Sequence, residues 1–231
     1  MRESLRGKIN KSNLSQQAFQ AIKAHILSFD YEPGRRIVIE SLSEELGISC
    51  TPVRDAIREL VNQGFIEYDG NTHKVRVYSR REIADLFAIR SALEALAIEL
   101  VVQRADAKDL ETFLSICEKS ENAIKKKEYK NLTNLDIDFH VAISNATRND
   151  QLGQILQNVR VRSWYIRRLV FELHAHENEE HFAVAEHLAI IAQVRSRSIE
   201  GAAGCMREHM RNAEERTLRH VANVNSSTLL T

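Results

Sequence analysis

Apolar residues recur at helical spacing from the start of the chain. Over residues 14–29, LSQQAFQAIKAHILSF, Ala18, Ile22, Ile26 and Leu27 share one face and predict a helix. Glu32-Pro33-Gly34 stops it. A short helix is expected over 42–47, closing at Gly47, followed by a tight turn over 48–50. Thr51 is expected to cap the next helix, with Pro52 at its first position and Gly64 just past its end. On that helix Val53, Ile57, Leu60 and Val61 face inward, and Arg54, Asp55 and Arg58 face out. In residues 65–78, Phe65-Ile66 and Val75 with Val77 are strand-like, and Asp69-Gly70 signals a hairpin turn. Three helices and a hairpin make a winged helix-turn-helix.

From residue 82 to about 221 no strand signal occurs. Helical patterns cover roughly 82–104, 106–128, 130–146, 149–174, 178–198 and 199–221. Six amphipathic helices must bury their stripes against one another. The expected fold is mainly α: an N-terminal winged helix-turn-helix plus a C-terminal antiparallel helical bundle. The expected plan is an arm over 1–12, the winged unit over 13–78, a linker over 79–82, the helical domain over 83–221 and a frayed tail over 222–231.

Composition narrows this picture. The 231 residues carry only two prolines and eight glycines, so long helices run uninterrupted. Lys plus Arg equals Asp plus Glu, 32 against 32, so any nucleic-acid contact must come from a local patch. The arm is locally basic, with Arg2, Arg6, Lys8 and Lys11 against Glu3. Cys50, Cys117 and Cys205 form no CxxC pair, which argues against a cysteine zinc site or disulfide framework. No run reaches membrane-span length and no apolar signal core is present, so a cytoplasmic protein with no membrane partner is expected.

A helix-turn-helix lays its second helix in the major groove, with that helix's N-terminal residues nearest the base edges. Residues 49–58, SCTPVRDAIR, place Ser49, Thr51, Arg54 and Arg58 there as donors to bases and phosphates. The hairpin tip, Gly70 and Asn71 with Lys74 nearby, could follow a backbone or minor groove. Three helices and a hairpin alone leave a small subdomain without any nucleic-acid role equally open. The segment PGRRIVIESLSEELGISCTPVRDAIRELVNQGFIE goes further: it resembles the GntR family of regulators. The matching positions are Pro33-Gly34, Leu42, Gly47, Ser49, Thr51, Pro52, Val53, Arg54, Ala56, Leu60 and Gly64. One recognition helix covers only a few base pairs, so a homodimer on a pseudo-palindromic double-stranded DNA operator is expected. Cys50 and Glu40 stand where the family usually or often has arginine, and Asp69 adds negative charge before the hairpin glycine. The family's usual operator is therefore not carried over.

Asp136 and His140 are spaced i, i+4 on a face shared with Leu132, Phe139 and Ile143. His187 lies in the stripe of Val184, Leu188 and Ile191, and His209 in that of Met206, Met210 and Ala213. A single histidine on an apolar face is more often a hydrogen-bonded core residue. Four ligand-type side chains on core-facing positions are costlier to leave unpaired, at about 1–3 kcal/mol each. Carboxylate and neutral imidazole suit zinc first, and nickel or manganese as well. Residues 82–221 are similar to the FCD ligand-binding domain of the FadR subfamily, through LFAIRSALEALA, DIDFHVAISNATRND, AEHLAIIAQV and AAGCMREHM. That resemblance implies a divalent metal on Asp136, His140, His187 and His209.

Arg90 shares the inward face of its helix with Leu86, Leu93 and Ala97. A buried guanidinium needs an anion: Glu94 at i+4, or, as the resemblance implies, the carboxylate of a small organic acid effector. The combined expectation is a ligand-responsive DNA-binding repressor and not an enzyme. A metal-dependent hydrolase with an accessory winged domain is the alternative, although no HExxH motif or other base placed by motif supports it. A structural metal protein or interaction module is a third.

Overall fold

The computed structural model describes the backbone of residues 9–173 and 181–223, with side chains over 14–128, 131–169 and 183–219. The chain divides into two compact units after Tyr78.

The first unit holds α1 (Ile9–Leu27), β1 (Arg36–Ile37), α2 (Ile39–Leu46), α3 (Cys50–Asn62), β2 (Ile66–Tyr68) and β3 (His73–Val75). Residues 9–12, expected in the arm, belong to α1; residues 1–8 lie outside the described residues. Ala18, Phe19, Ile22 and Ile26 of α1 are buried, and α1 packs on α3 through Val53, Ile57 and Leu60, which are also buried. Gly47 ends α2 at φ 65°, with its N–H turned back to the carbonyls of Ser43 and Glu44. A side chain at that left-handed position would be strained, so glycine sets the turn between the two helices.

Two local expectations are corrected. The N-cap of α3 is Ser49 rather than Thr51, and the helix starts at Cys50. Proline is tolerated throughout a first turn, where no N–H has an intrahelical partner, so Pro52 did not fix the start at itself. The sheet has three strands in the order β1-β3-β2, not two. β1 pairs Arg36 with Lys74 and Ile37 with His73, and its two residues are too few to show an alternating pattern. Across the wing Ile66 faces Val75 and Tyr68 faces His73. The Tyr78 hydroxyl donates to the Gly64 carbonyl at 2.5 Å, tying the wing's exit to the end of α3.

The second unit holds α4 (Arg80–Arg104), α5 (Ala107–Lys125), α6 (Tyr129–Ala146), α7 (Asp150–Leu173), α8 (His181–Arg195) and α9 (Ile199–Asn223). These are the six expected helices within a few residues; 224–231 lie outside the described residues. α4 packs most extensively on α9, and also on α6, α7 and α8; α5 packs on α6 and α8. Buried Phe87, Ile98, Phe113, Phe139, Ile166, Ile191 and Met206 fill the space between the helices.

Residues 79–82 are not a linker. Ser79 is the N-cap of α4 and forms a capping box with Glu82: Ser79 N–H donates to the Glu82 carboxylate at 2.8 Å and Glu82 N–H donates to Ser79 Oγ at 3.2 Å. The polar run SRRE read as a connector is a helix start. Ser79→Ala is therefore expected to cost about 0.5–2 kcal/mol in the unfolding of the helical unit, measured by thermal or urea melts; a flexible linker would lose nothing.

Candidate metal centre and DNA-reading face

Helical periodicity delivers four ligand-type side chains to one point. Asp136 and His140 come from successive turns of α6, His187 from α8 and His209 from α9. One ligand atom from each lies within 4.8 Å of every other, and all four residues are buried. His140 Nε2 and His209 Nε2 are 3.1 Å apart, and His187 Nε2 is 3.5 Å from Asp136 Oδ1. The Phe139 ring stacks on His187 at 3.8 Å between centroids and fixes its plane.

Carboxylates behind the histidines set the tautomers. Glu186 Oε2 lies 2.7 Å from His209 Nδ1, and Glu94 Oε2 lies 3.3 Å from His140 Nδ1. Burial opposes ionisation of Glu186, but His209 and Arg216 outweigh it and hold that carboxyl at about 2. Burial likewise opposes ionisation of Glu94, and His140, Arg90 and Arg160 together hold it at about 2. An ionised carboxylate only accepts, so each Nδ1 carries the hydrogen and each Nε2 presents a lone pair. Two lone pairs 3.1 Å apart repel unless a cation lies between them. Two imidazoles on one zinc at about 2.0–2.1 Å would stand about 3.0–3.4 Å apart, so the residues present fit a metal ion.

Burial also pushes His140 down to about 4, with Arg90 adding to it, and drives His187 well below the usual imidazole range. Asp136 is held below the usual carboxylate range: burial opposes this, but Arg167 and the three histidines win. Asp136, His140 and His187 are therefore in their metal-binding protonation states at neutral pH.

Arg167 of α7 donates to Asp136 Oδ2 and stands on the wall of a cleft. That cleft measures about 240 Å3 counting its open mouth, and Asp136, His187, Ser120, Leu132 and Val184 also line it. Arg90 is buried elsewhere. Its Nε is 3.5 Å from Glu94 Oε1, and Arg160 Nε of α7 is 3.4 Å from the same oxygen. Arg90 is thus placed against Glu94, and Arg167, not Arg90, lines the cleft. Sequence reasoning missed Glu186, Arg160 and Arg167, and Glu94 as His140's partner. A carboxylate directly before His187 was the one available signal for Glu186.

On the winged unit, Ser49, Thr51, Arg54 and Arg58 are all exposed: Ser49 caps α3, Thr51 and Arg54 lie in its first half and Arg58 in its second. Arg54 Nη2 is 4.0 Å from Glu40, while Arg58 is 3.3 Å from Asp55 on its own helix. Gly70, at φ 96°, and Asn71 are exposed at the wing tip. Asp69 accepts from the Asn71 and Thr72 backbone N–H groups at 3.0 and 2.8 Å, which depresses its pKa and shapes the tip. Lys74 Nζ is 3.3 Å from Asp69, so part of its charge is already matched.

Two outcomes are expected of the centre. Glu186→Gln preserves shape but removes the negative charge beside His209 and leaves one accepting oxygen in place of two, and should weaken metal binding by about 10–100-fold in competition with a chromophoric chelator. In metal-stripped protein, folded His140 titrates near 4 but unfolded histidine near 6.5. The unfolded state then binds the extra proton, so unfolding free energy should fall as pH drops from about 6.5 towards 4. A flat denaturant stability profile over that window would contradict a buried neutral His140.

Comparison with known proteins places both units. Residues 14–71 match the bacterial regulatory proteins of the gntR family, and residues 85–212 match the FCD domain. The chain is 27% identical over 207 residues to the HTH-type transcriptional regulator YdhC of Bacillus subtilis, covering 89% of this chain and 91% of that one. It is 25% identical over 206 residues to the HTH-type transcriptional regulator McbR of Escherichia coli, covering 88% and 92%. The solved structure of E. coli McbR superposes with a TM-score of 0.73 at 23% identity, over 90% of this chain and 98% of that one. A structure titled as the metal-free FCD domain of TM0439 superposes at 0.51 and 19% identity, over 63% and 98%, a likeness of fold. These matches are to transcription regulators, and they set aside the hydrolase reading. The chain belongs to the GntR family of bacterial transcription regulators, DNA-binding proteins that are not enzymes, and its helical unit is an FCD domain.

Proposed function

We propose that this regulator is a cytoplasmic repressor that binds a pseudo-palindromic operator as a homodimer and releases it when a small organic acid enters the helical domain. Zinc is the metal proposed for Asp136, His140, His187 and His209, with nickel or manganese as alternatives. The observation that carries the effector reading is the cleft: two ligand residues, Asp136 and His187, form its wall together with Arg167. A carboxylate there could give one oxygen to the ion and the other to a guanidinium. The metal, held by Asp136, His140, His187 and His209, would supply a positive centre that attracts the acid. Arg167 orients the acid, Phe139 holds the His187 plane, and Glu94 and Glu186 aim the His140 and His209 rings. Arg90 as a direct effector contact requires its guanidinium to leave Glu94, so Arg167 is the proposed second contact.

On the DNA side, Ser49, Thr51, Arg54 and Arg58 are proposed to meet bases and phosphates, with Gly70, Asn71 and Lys74 along the backbone. Because a single recognition helix covers few base pairs, a two-fold dimer supplies the specificity.

Calorimetry with a panel of mono- and dicarboxylates tests the effector site. Arg167→Ala should weaken binding at least tenfold while metal content stays at one ion per chain, and chelation should abolish binding. Loss with Arg90→Ala but not with Arg167→Ala would return the contact to α4; equal binding by chelated protein would end the metal-bridged reading. For DNA, Arg54→Ala should cost about 1–3 kcal/mol of operator affinity and relax base preference at its contact, read by mobility-shift titration against operator variants. Unchanged affinity would remove Arg54 from the interface.

A further inference from the structure

Positions 40 and 50, where arginine is frequent or usual in the family, lie at the starts of α2 and α3. The structure joins them. Cys50 is partly buried; its Sγ donates to Ser43 Oγ at 3.4 Å, and Ser43 Oγ donates to the Glu40 carbonyl at 2.8 Å. This chain of bonds ties the start of α2 to the start of α3. The Cys50 thiol is engaged inside the unit, whereas the Glu40 side chain is exposed. Its Oε1 stands 4.0 Å from Arg54 Nη2, with the two side chains 67% and 57% exposed. Other acids beside the candidate DNA-contacting cations serve their own element. Asp55 lies one turn before Arg58 on α3, and Asp69 accepts the backbone N–H groups of the wing tip. Glu40 instead reaches across from α2 to the exposed side of α3.

The geometry points to Glu40 as a base-reading residue that, beside Arg54, selects a cytosine in the operator. The inference rests on the DNA-reading face proposed above and names part of the sequence it takes. A carboxylate at that place is repelled by phosphate, so it needs a donor. In the major groove the donors are exocyclic amines, N4 of cytosine and N6 of adenine. Adenine sets its N7 acceptor beside that amine, and a carboxylate, which only accepts, is repelled by N7. Cytosine carries no such acceptor on its own edge. Arg54 has the complementary demand: a guanidinium takes both acceptors of guanine, O6 and N7. The two side-chain tips are 4.0 Å apart, close to the roughly 3.4 Å between stacked base pairs. When Arg54 lies in the plane of a guanine, Glu40 therefore falls at the neighbouring base pair. The pair selects guanine at one position and cytosine at the next. An acid in the first turn of a helix also complements its dipole, but that service alone leaves base preference untouched.

Selection from double-stranded DNA randomised over about 20 base pairs, two helical turns, tests the inference with full-length, metal-loaded protein. Wild type should enrich a guanine next to a cytosine in each half-site. Replacing that cytosine in the enriched duplex should weaken binding by about fivefold or more in a mobility-shift titration. Arg54→Ala should lose the guanine preference and keep the cytosine; Glu40→Ala should do the reverse. Glu40→Gln is the sharpest arm, and it keeps the shape of the side chain should Glu40→Ala misfold. An amide donates as well as accepts, so preference at that base pair should move from cytosine to adenine. Unchanged base preferences in both Glu40 variants, whatever their affinity, would overturn the inference and leave the DNA-reading face standing. So would enrichment of a sequence without the guanine–cytosine step. Loss of the guanine preference in Glu40→Ala would also overturn it, and make Glu40 a positioning residue for Arg54. A wild type that enriches no sequence would overturn the DNA-reading proposal together with this one.

Discussion

The helical domain is organised around the repulsion it must suppress. Two imidazole lone pairs meet at 3.1 Å in a buried site, with a third imidazole and a carboxylate beside them. An apolar core could not hold this arrangement, because each unpaired polar group costs about 1–3 kcal/mol on burial. Each neighbouring helix sends in a compensating side chain. Glu94 comes from α4, Arg167 from α7 and Glu186 from α8, and Arg216 of α9 donates to Glu186 at 3.0 Å. The ligands, their carboxylate partners and the arginines behind them form one network that joins five of the six helices. A divalent ion would neutralise the point at which that network converges, and so bind folding and metal loading together.

The network explains which parts of the site could be read from the sequence. Asp136, His140, His187 and His209 interrupt strongly apolar stripes, so periodicity alone marks them as inward-facing. Glu94 was visible as Arg90's i+4 neighbour, but its approach to His140 crosses from α4 to α6 and no local spacing encodes that. Arg167 and Arg160 sit among other arginines on α7, where sequence cannot tell a buried guanidinium from a solvated one. Glu186 is adjacent to His187, yet adjacent helical residues point about 100° apart, and the carboxylate serves His209 of another helix rather than its neighbour.

The fold was legible for the same reason and failed at the same kind of place. Long amphipathic helices reveal themselves over many turns. Short features do not: β1 has two residues, and its existence depends on β3 pairing with β2 on its other edge. The start of α3 hinged on a choice among Ser49, Cys50 and Thr51, where two residues are good caps and proline fits any first-turn position. At the wing, Asp69 read as a misplaced negative charge; its carboxylate instead organises the tip through two backbone N–H groups and partly matches Lys74.

Helix α4 is where these strands of the argument meet. Its capping box begins one residue after Tyr78, the residue whose hydroxyl ties the wing to α3. Glu94 on its inner side lies 3.3 Å from His140, and Ile89 and Leu96 are exposed on its outer side. Its inner side packs along its length against α9, α7, α6 and α8. A change in the charge facing His140 therefore acts on Glu94, Arg90 and Arg160 at once, and through them on the relation between α4 and α7.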